Sequence, residues 1–143
     1  MASSVEAVVL RQIGDVALEA RTCPDPGPGE VVVAPSVVGI CGSDMHLYKE
    51  GRIGDSVVEA PLVLGHEAAG RIVAVGSEVS ELKIGDRVIV EPGIACGQCR
   101  LCRLGRYNLC PNVRFLGIPP TDGLMATRAT VPARWRNSEN QRI

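Results

Sequence analysis

The sequence predicts a mainly β domain that carries one irregular, metal-stapled lobe. Three observations lead there. Short runs rich in β-branched residues recur along the chain, each closed by Gly, Pro or Asp. No segment repeats its apolar residues at the spacing of a long amphipathic helix. Four of the six cysteines, Cys96, Cys99, Cys102 and Cys110, fall in one short stretch, CGQCRLCRLGRYNLC. Many short strands with frequent turns indicate an all-β barrel or sandwich.

Taken in order, Glu6 to Arg11 and Val16 to Arg21 read as two strands of a hairpin, parted by the turn at Gly14-Asp15. The segment from Cys23 to Gly29 holds too much Pro and Gly for a regular element. Val31 to Ile40 reads as a strand in which Pro35 demands an edge position or a bulge. A short helical turn is expected over Ser43 to Tyr48, then a loop from Gly51 to Ala60. Further strands are expected at Leu62 to Leu64, Ala69 to Val75, Arg87 to Val90 and Leu124 to Val131, with little regular structure from Pro111 to Gly123. The segment from 132 to 143 turns polar and unpatterned, and is expected to be a disordered tail.

A chain of 143 residues fits one domain. Tyr48, Tyr107, Phe115 and Trp135 are its only aromatic residues, so the core must be aliphatic. A formal net charge of −1 supplies no field to gather nucleic acid or an anionic membrane. Arg100, Arg103, Arg106 and Arg114 cluster beside the cysteines, which a solvated loop explains without a phosphate track. The N-terminus has no basic segment followed by an apolar run, and no stretch reaches the length of a membrane span. The expectation is a cytoplasmic protein with reduced thiols, binding neither nucleic acid nor membrane.

The spacing C-x2-C-x2-C-x7-C lets neighbouring thiolates converge while the backbone turns between them. It suits a closed tetrahedral zinc site with no position left for substrate. A disulfide framework needs an oxidising compartment, and the intervals differ from those of common iron–sulfur runs. A second constellation is sparser. The chain's two histidines, His46 and His66, lie in GICGSDMH and GHE. Cys41, His66 and Glu67 form the mixed S, N and O set that zinc accepts in catalytic sites. Taken singly, each is more often a packed or surface residue. A carboxylate directly after a histidine at the end of an apolar strand favours a shared partner, but spacing alone leaves this site open.

GICGSDMH, GRIG, PLVLGHEAAGRIVAVG, LKIGDRVIVEPG and the cysteine loop ending GRYNLCP, in that order, resemble the zinc-dependent medium-chain dehydrogenases. The likeness runs from about Val5 to Val131 and is greatest to the sorbitol, xylitol and arabinitol dehydrogenases. It implies that residues 5–131 form a GroES-like β-barrel catalytic domain, with 96–110 as a structural-zinc lobe. It further implies catalytic zinc at Cys41, His66 and Glu67, a proton relay through Ser43 and His46, and therefore two zinc ions per chain. With zinc bound, Ser43 would pass the proton of a substrate hydroxyl toward His46 and solvent, and a hydride would leave to NAD or NADP. The substrate would be a small alcohol or polyol. Sorbitol-type members often place a substrate-contacting tyrosine after the relay histidine, where this chain has Leu47.

Members of that family continue into a Rossmann domain that binds NAD. These 143 residues hold no G-x-G-x-x-G, and Gly27-Pro28-Gly29 sits in a Pro-rich turn. The Rossmann domain is expected to be absent and the chain to be a truncated form, inactive alone. A non-catalytic zinc-bearing module that associates with full-length relatives is the alternative expectation.

Overall fold

A computed structural model describes residues 2–133. Two antiparallel sheets carry the chain. β1 (Ser3–Gln12) and β2 (Asp15–Cys23) form the expected hairpin, with Gly14 in the left-handed region at its turn. β3 (Glu30–Gly39) lies inside the second sheet, not at its edge, and Pro35 is accommodated by a register shift between Pro35 and Val37. That bulge removes the need for a donor at the proline. Helix α1 (Gly42–Glu50) follows, longer than the turn expected from sequence. The expected loop after it contains a small hairpin, β4 (Arg52–Ile53) and β5 (Ser56–Val57). Neither strand carries enough alternating apolar residues to declare itself in sequence.

β6 (Leu62–Val63) pairs with β1, giving the order β2-β1-β6. β7 (Glu67–Val75) and β8 (Arg87–Ile89) follow. β9 (Gly93–Ile94) enters the cysteine lobe, which contains the one-turn helix α2 (Arg100–Arg103) and a 3-10 turn at Tyr107–Leu109. β10 (Arg114–Phe115) pairs back on β9, in a stretch where little regular structure was expected. β11 (Ala129–Pro132) completes the second sheet, ordered β11-β3-β7-β8. The last strand therefore starts later than the sequence suggests, although Ala126 makes an isolated bridge to Ala7. The expected tail is ordered at its start: Pro132 pairs with Glu30, and the Ala133 N–H donates to the Gly29 carbonyl at 3.0 Å. The rest of that tail, 134–143, lies outside the described residues.

The core is aliphatic. Val31, Val33, Ile72, Val88, Leu116, Leu124 and Val131 close its main cluster. Burying such side chains contributes about 1.5–3 kcal/mol each. A second cluster, Leu10, Leu47, Leu62 and Leu64, presses α1 against β1 and β6. Leu47 is thus a core residue, its side chain turned into packing. No helix among the described residues is long and apolar enough to cross a membrane.

The segment just before His66 is held by a strap. Val63, Leu64 and Gly65 offer their carbonyls to the N–H groups of Gly123, Met125 and Leu124, at 2.8, 2.9 and 2.8 Å. Asp122 accepts the Val63 N–H at 2.8 Å. Gly65 adopts φ +89°, and a Cβ at Gly123 would collide with the Gly65 carbonyl. Only glycines allow the two backbones to come this close.

Candidate metal centres

The four lobe cysteines converge. One sulfur from each of Cys96, Cys99, Cys102 and Cys110 lies within 4.8 Å of the others. Cys99 and Cys102 are 3.4 Å apart, and the Cys96–Cys102 and Cys99–Cys110 pairs are 3.9 Å apart. Zinc with sulfur ligands at about 2.3 Å requires sulfurs roughly 3.8 Å from one another in a tetrahedron. The donor set fits that ion. All six cysteines are free thiols, so the lobe is not a disulfide framework.

Local backbone supports the cluster. The Cys96 N–H points to Cys110 Sγ, the Cys99 N–H to Cys96 Sγ and the Cys102 N–H to Cys99 Sγ, each at 3.4 Å. Backbone N–H groups, that of Gln98 first and then that of Cys99, lower the Cys96 thiol to about 6. Cys102 is pushed up to about 12, by loss of hydration first and then by the thiol of Cys99. Cys96 is thus ready as a thiolate at neutral pH, whereas metal must displace the proton of Cys102.

The second set is assembled from separate elements. Cys41 caps the start of α1 two residues after β3 ends, His66 immediately precedes β7, and Glu67 is the first residue of that strand. Gly39 pairs with Glu67, so the two segments run side by side. A Cβ at residue 39 would lie 2.6 Å from a Glu67 carboxylate oxygen, so the glycine lets that side chain fold back toward Cys41. The ligand atoms of Cys41, His66 and Glu67 all lie within 4.8 Å of one another. Cys41 is half-buried, His66 buried and Glu67 exposed, which leaves one side open.

His66 is tightly placed. Its Nε2 is 3.3 Å from Ser43 Oγ, and its ring meets Phe115 edge-on with centroids 5.4 Å apart. Its Nδ1 is buried without a hydrogen-bond partner and sits 3.9 Å from Asp44 Oδ1. Asp44 is itself buried. Its two oxygens accept the Cys41 N–H at 2.8 Å and the Gly65 N–H at 3.2 Å. One carboxylate therefore ties together the backbone of both segments. Sequence reading missed Asp44 and Phe115. The signal for Asp44 was its position, three residues after Cys41, where a carboxylate caps a helix start.

His46 stands apart. Its ring is 63% exposed and its Nδ1 pairs with Glu50 at 3.0 Å. Among the described residues no hydrogen bond joins it to Ser43.

A mainly β domain with a four-cysteine lobe and a Cys-His-Glu cluster defines a class, and the chain belongs to it: residues 27–137 match the alcohol dehydrogenase GroES-like domain. Among individual relatives, the sorbitol dehydrogenase of Bacillus subtilis (strain 168) is 52% identical over 120 residues, covering 84% of this chain and 34% of that protein. Among solved structures, L-idonate 5-dehydrogenase from Escherichia coli superposes with a TM-score of 0.83 at 33% identity, over 92% of this chain and 38% of that one. A cobalt- and zinc-bound thermostable alcohol dehydrogenase from Pyrobaculum aerophilum gives 0.80 at 29% identity, over 92% and 40%. The chain spans about a third of the length of the curated relatives it matches.

Proposed function

We propose that this chain is the zinc-binding catalytic domain of an NAD- or NADP-dependent dehydrogenase that oxidises a secondary alcohol of a small polyol to a ketone. The observation that carries the reading is the convergence of Cys41, His66 and Glu67 inside 4.8 Å, with the Ser43 hydroxyl at their side. Zinc held there supplies Lewis acidity toward an alcohol oxygen. A nicotinamide supplies the hydride acceptor, and these residues contain no motif that would bind it.

His66 would ligate through Nε2, because its Nδ1 faces Asp44 and a metal-bound imidazole usually turns its other nitrogen to a carboxylate. Cys41 would enter as thiolate beneath the open side, and Glu67 would add the third donor. Ser43 would accept the substrate's hydroxyl proton. From there the proton would reach His46, one helical turn along α1, and then solvent. A water or ligand hydroxyl must bridge that step, since His46 is turned to Glu50. The lobe cysteines would hold a second zinc in a structural role. Leu47 cannot take the tyrosine's substrate contact from within the core, so polyol recognition falls to other walls of the site.

Metal analysis of the purified chain tests this. Two zinc ions per chain are expected, falling to one in His66→Ala with the lobe zinc retained. A value of one in the unaltered protein, lost on changing Cys99, removes the catalytic site from the proposal. The 143 residues assayed alone should not oxidise xylitol, sorbitol or arabinitol with NAD or NADP. Turnover that follows the protein through purification would show that nicotinamide binds here without a dinucleotide motif.

A further inference from the structure

The torsion that turns a histidine ring on its Cβ is broad, so the neighbours of the ring must fix it. Around His66 the polar neighbours do so loosely. Ser43 Oγ is 3.3 Å from Nε2, and Asp44 Oδ1 stands 3.9 Å from an Nδ1 that has no hydrogen-bond partner. The aromatic neighbour is Phe115, edge-on at 68° with centroids 5.4 Å apart. Aromatic rings favour this arrangement at about 4.5–7 Å. The backbone repeats the contact: a Cβ at Gly117 would lie 2.8 Å from the Gly65 carbonyl oxygen. The segment 115–117 therefore bears on both the His66 ring and the residue before it.

That segment is where the chain leaves the cysteine lobe. β9 and β10 close the lobe at its base, with Arg114 opposite Ile94 and Phe115 opposite Gly93. The Leu116 N–H adds a bond to the Pro92 carbonyl at 3.0 Å. A pair of strands this short is marginal in water by itself. Cys96 follows β9 by two residues and Cys110 precedes β10 by four, so the first and last donors of the lobe cluster sit just beyond the ladder. Joining those donors closes the loop between them, and the ladder then loses less entropy on forming. Leu116 belongs to the main core and keeps the strand nearby in either case, whereas Phe115 takes its register from Gly93.

We propose that Phe115 is a positioning residue for His66, and that closure of the cysteine lobe is what holds Phe115 in place. Filling the lobe with metal then tightens metal binding at the Cys41, His66 and Glu67 cluster, to which the lobe contributes no donor. The effect on affinity rests on reading that cluster as a metal centre, and the placement of the ring does not. Couplings between two sites typically change affinity about 5- to 150-fold.

NMR of ring-labelled histidine tests the coupling in the Cys41→Ala/Glu67→Gln chain, whose second cluster has lost two donors. His46 and His66 are the only histidines, so two sets of ring signals are read. One equivalent of zinc, taken by the four lobe thiols, should shift and sharpen the His66 signals and leave those of His46 unchanged. Phe115→Leu in the same background should abolish the His66 response, and Phe115→Tyr, which keeps the ring edge, should restore it. A merely structural role for Phe115 would alter stability without this dependence on lobe metal. His66 signals indifferent to zinc, or an equal response in Phe115→Leu, overturn the proposal, since the core anchor at Leu116 would then suffice. Cobalt titration of the intact second cluster reads the affinity. Cobalt should bind there about tenfold more tightly in the chain with zinc in its lobe than in Cys99→Ser/Cys102→Ser, and Phe115→Leu should remove most of that difference. A difference that persists in Phe115→Leu overturns the role of Phe115. Absence of cobalt from the second cluster in every chain overturns the effect on affinity together with the metal reading, and the ring response still decides the coupling by itself.

Discussion

Asp44 does more at the candidate catalytic centre than any residue except the ligands themselves. Its two oxygens fasten Cys41 and Gly65 by their N–H groups, and its Oδ1 faces the buried Nδ1 of His66. Asp44→Asn removes the charge while keeping the shape. It should weaken zinc at this site about 10- to 100-fold, read by competition with a chelating dye, because partners of this kind orient a ligating histidine. Zinc in the cysteine lobe should be unchanged in the same titration. Within that lobe the thiols are unequal. Cys96 lies far below the ordinary thiol range, at about 6, and Cys102 far above it. In metal-free protein, iodoacetamide should therefore label Cys96 with a rate that rises through pH 6 and levels off above it, with Cys102 slow throughout. Mass spectrometry of the labelled peptides checks the order, and added zinc should protect both.

At the scale of elements, α1 is the part that converts packing into site geometry. It carries Ser43 and Asp44 on its first turn and is anchored by Leu47, which makes its core contact with Leu10, Leu62 and Leu64. Leu47→Ala should cost about 2–5 kcal/mol of unfolding free energy, measured by urea denaturation. The variant should also lose zinc from the Cys41 site before it unfolds. Much of this arrangement was legible beforehand. The hairpin, the β3 and β7 strands and the cysteine lobe follow from alternation, turn residues and spacing, and GICGSDMH and GHE mark the second donor set. What stayed hidden depended on partners distant in the chain. The β4–β5 and β9–β10 pairs are too short for periodicity to register, and β10 exists only because Arg114 and Phe115 meet Ile94 and Gly93. Pro35 allowed either an edge or a bulge, and only the neighbours of β3 on both sides decide for the bulge. The contact of Phe115 with His66 joins residues whose sequences give no hint of each other.

For the molecule as a whole, metal and fold should rise and fall together in the lobe more than in the sheets. The lobe has no buried helix residues and few core members, whereas the sheets close on an aliphatic interior. Stripping zinc with a strong chelator should lower the thermal midpoint by about 10 °C or more, given the binding energies typical of structural zinc. Far-ultraviolet circular dichroism should still report the strands below that midpoint, and limited proteolysis should cut first between 96 and 110. Loss of all strand signal on chelation would mean that the sheets, too, depend on the ions. The strap from Asp122 to Met125 has a different consequence. Because its main chain lies directly against that of Val63 to Gly65, there is no slack between a loop on the far side of the sequence and the imidazole that follows. A single methyl at residue 123 would push on His66 without touching it. The donor spacing at the candidate Cys41, His66 and Glu67 centre is therefore open to adjustment from a turn that contributes no donor to it.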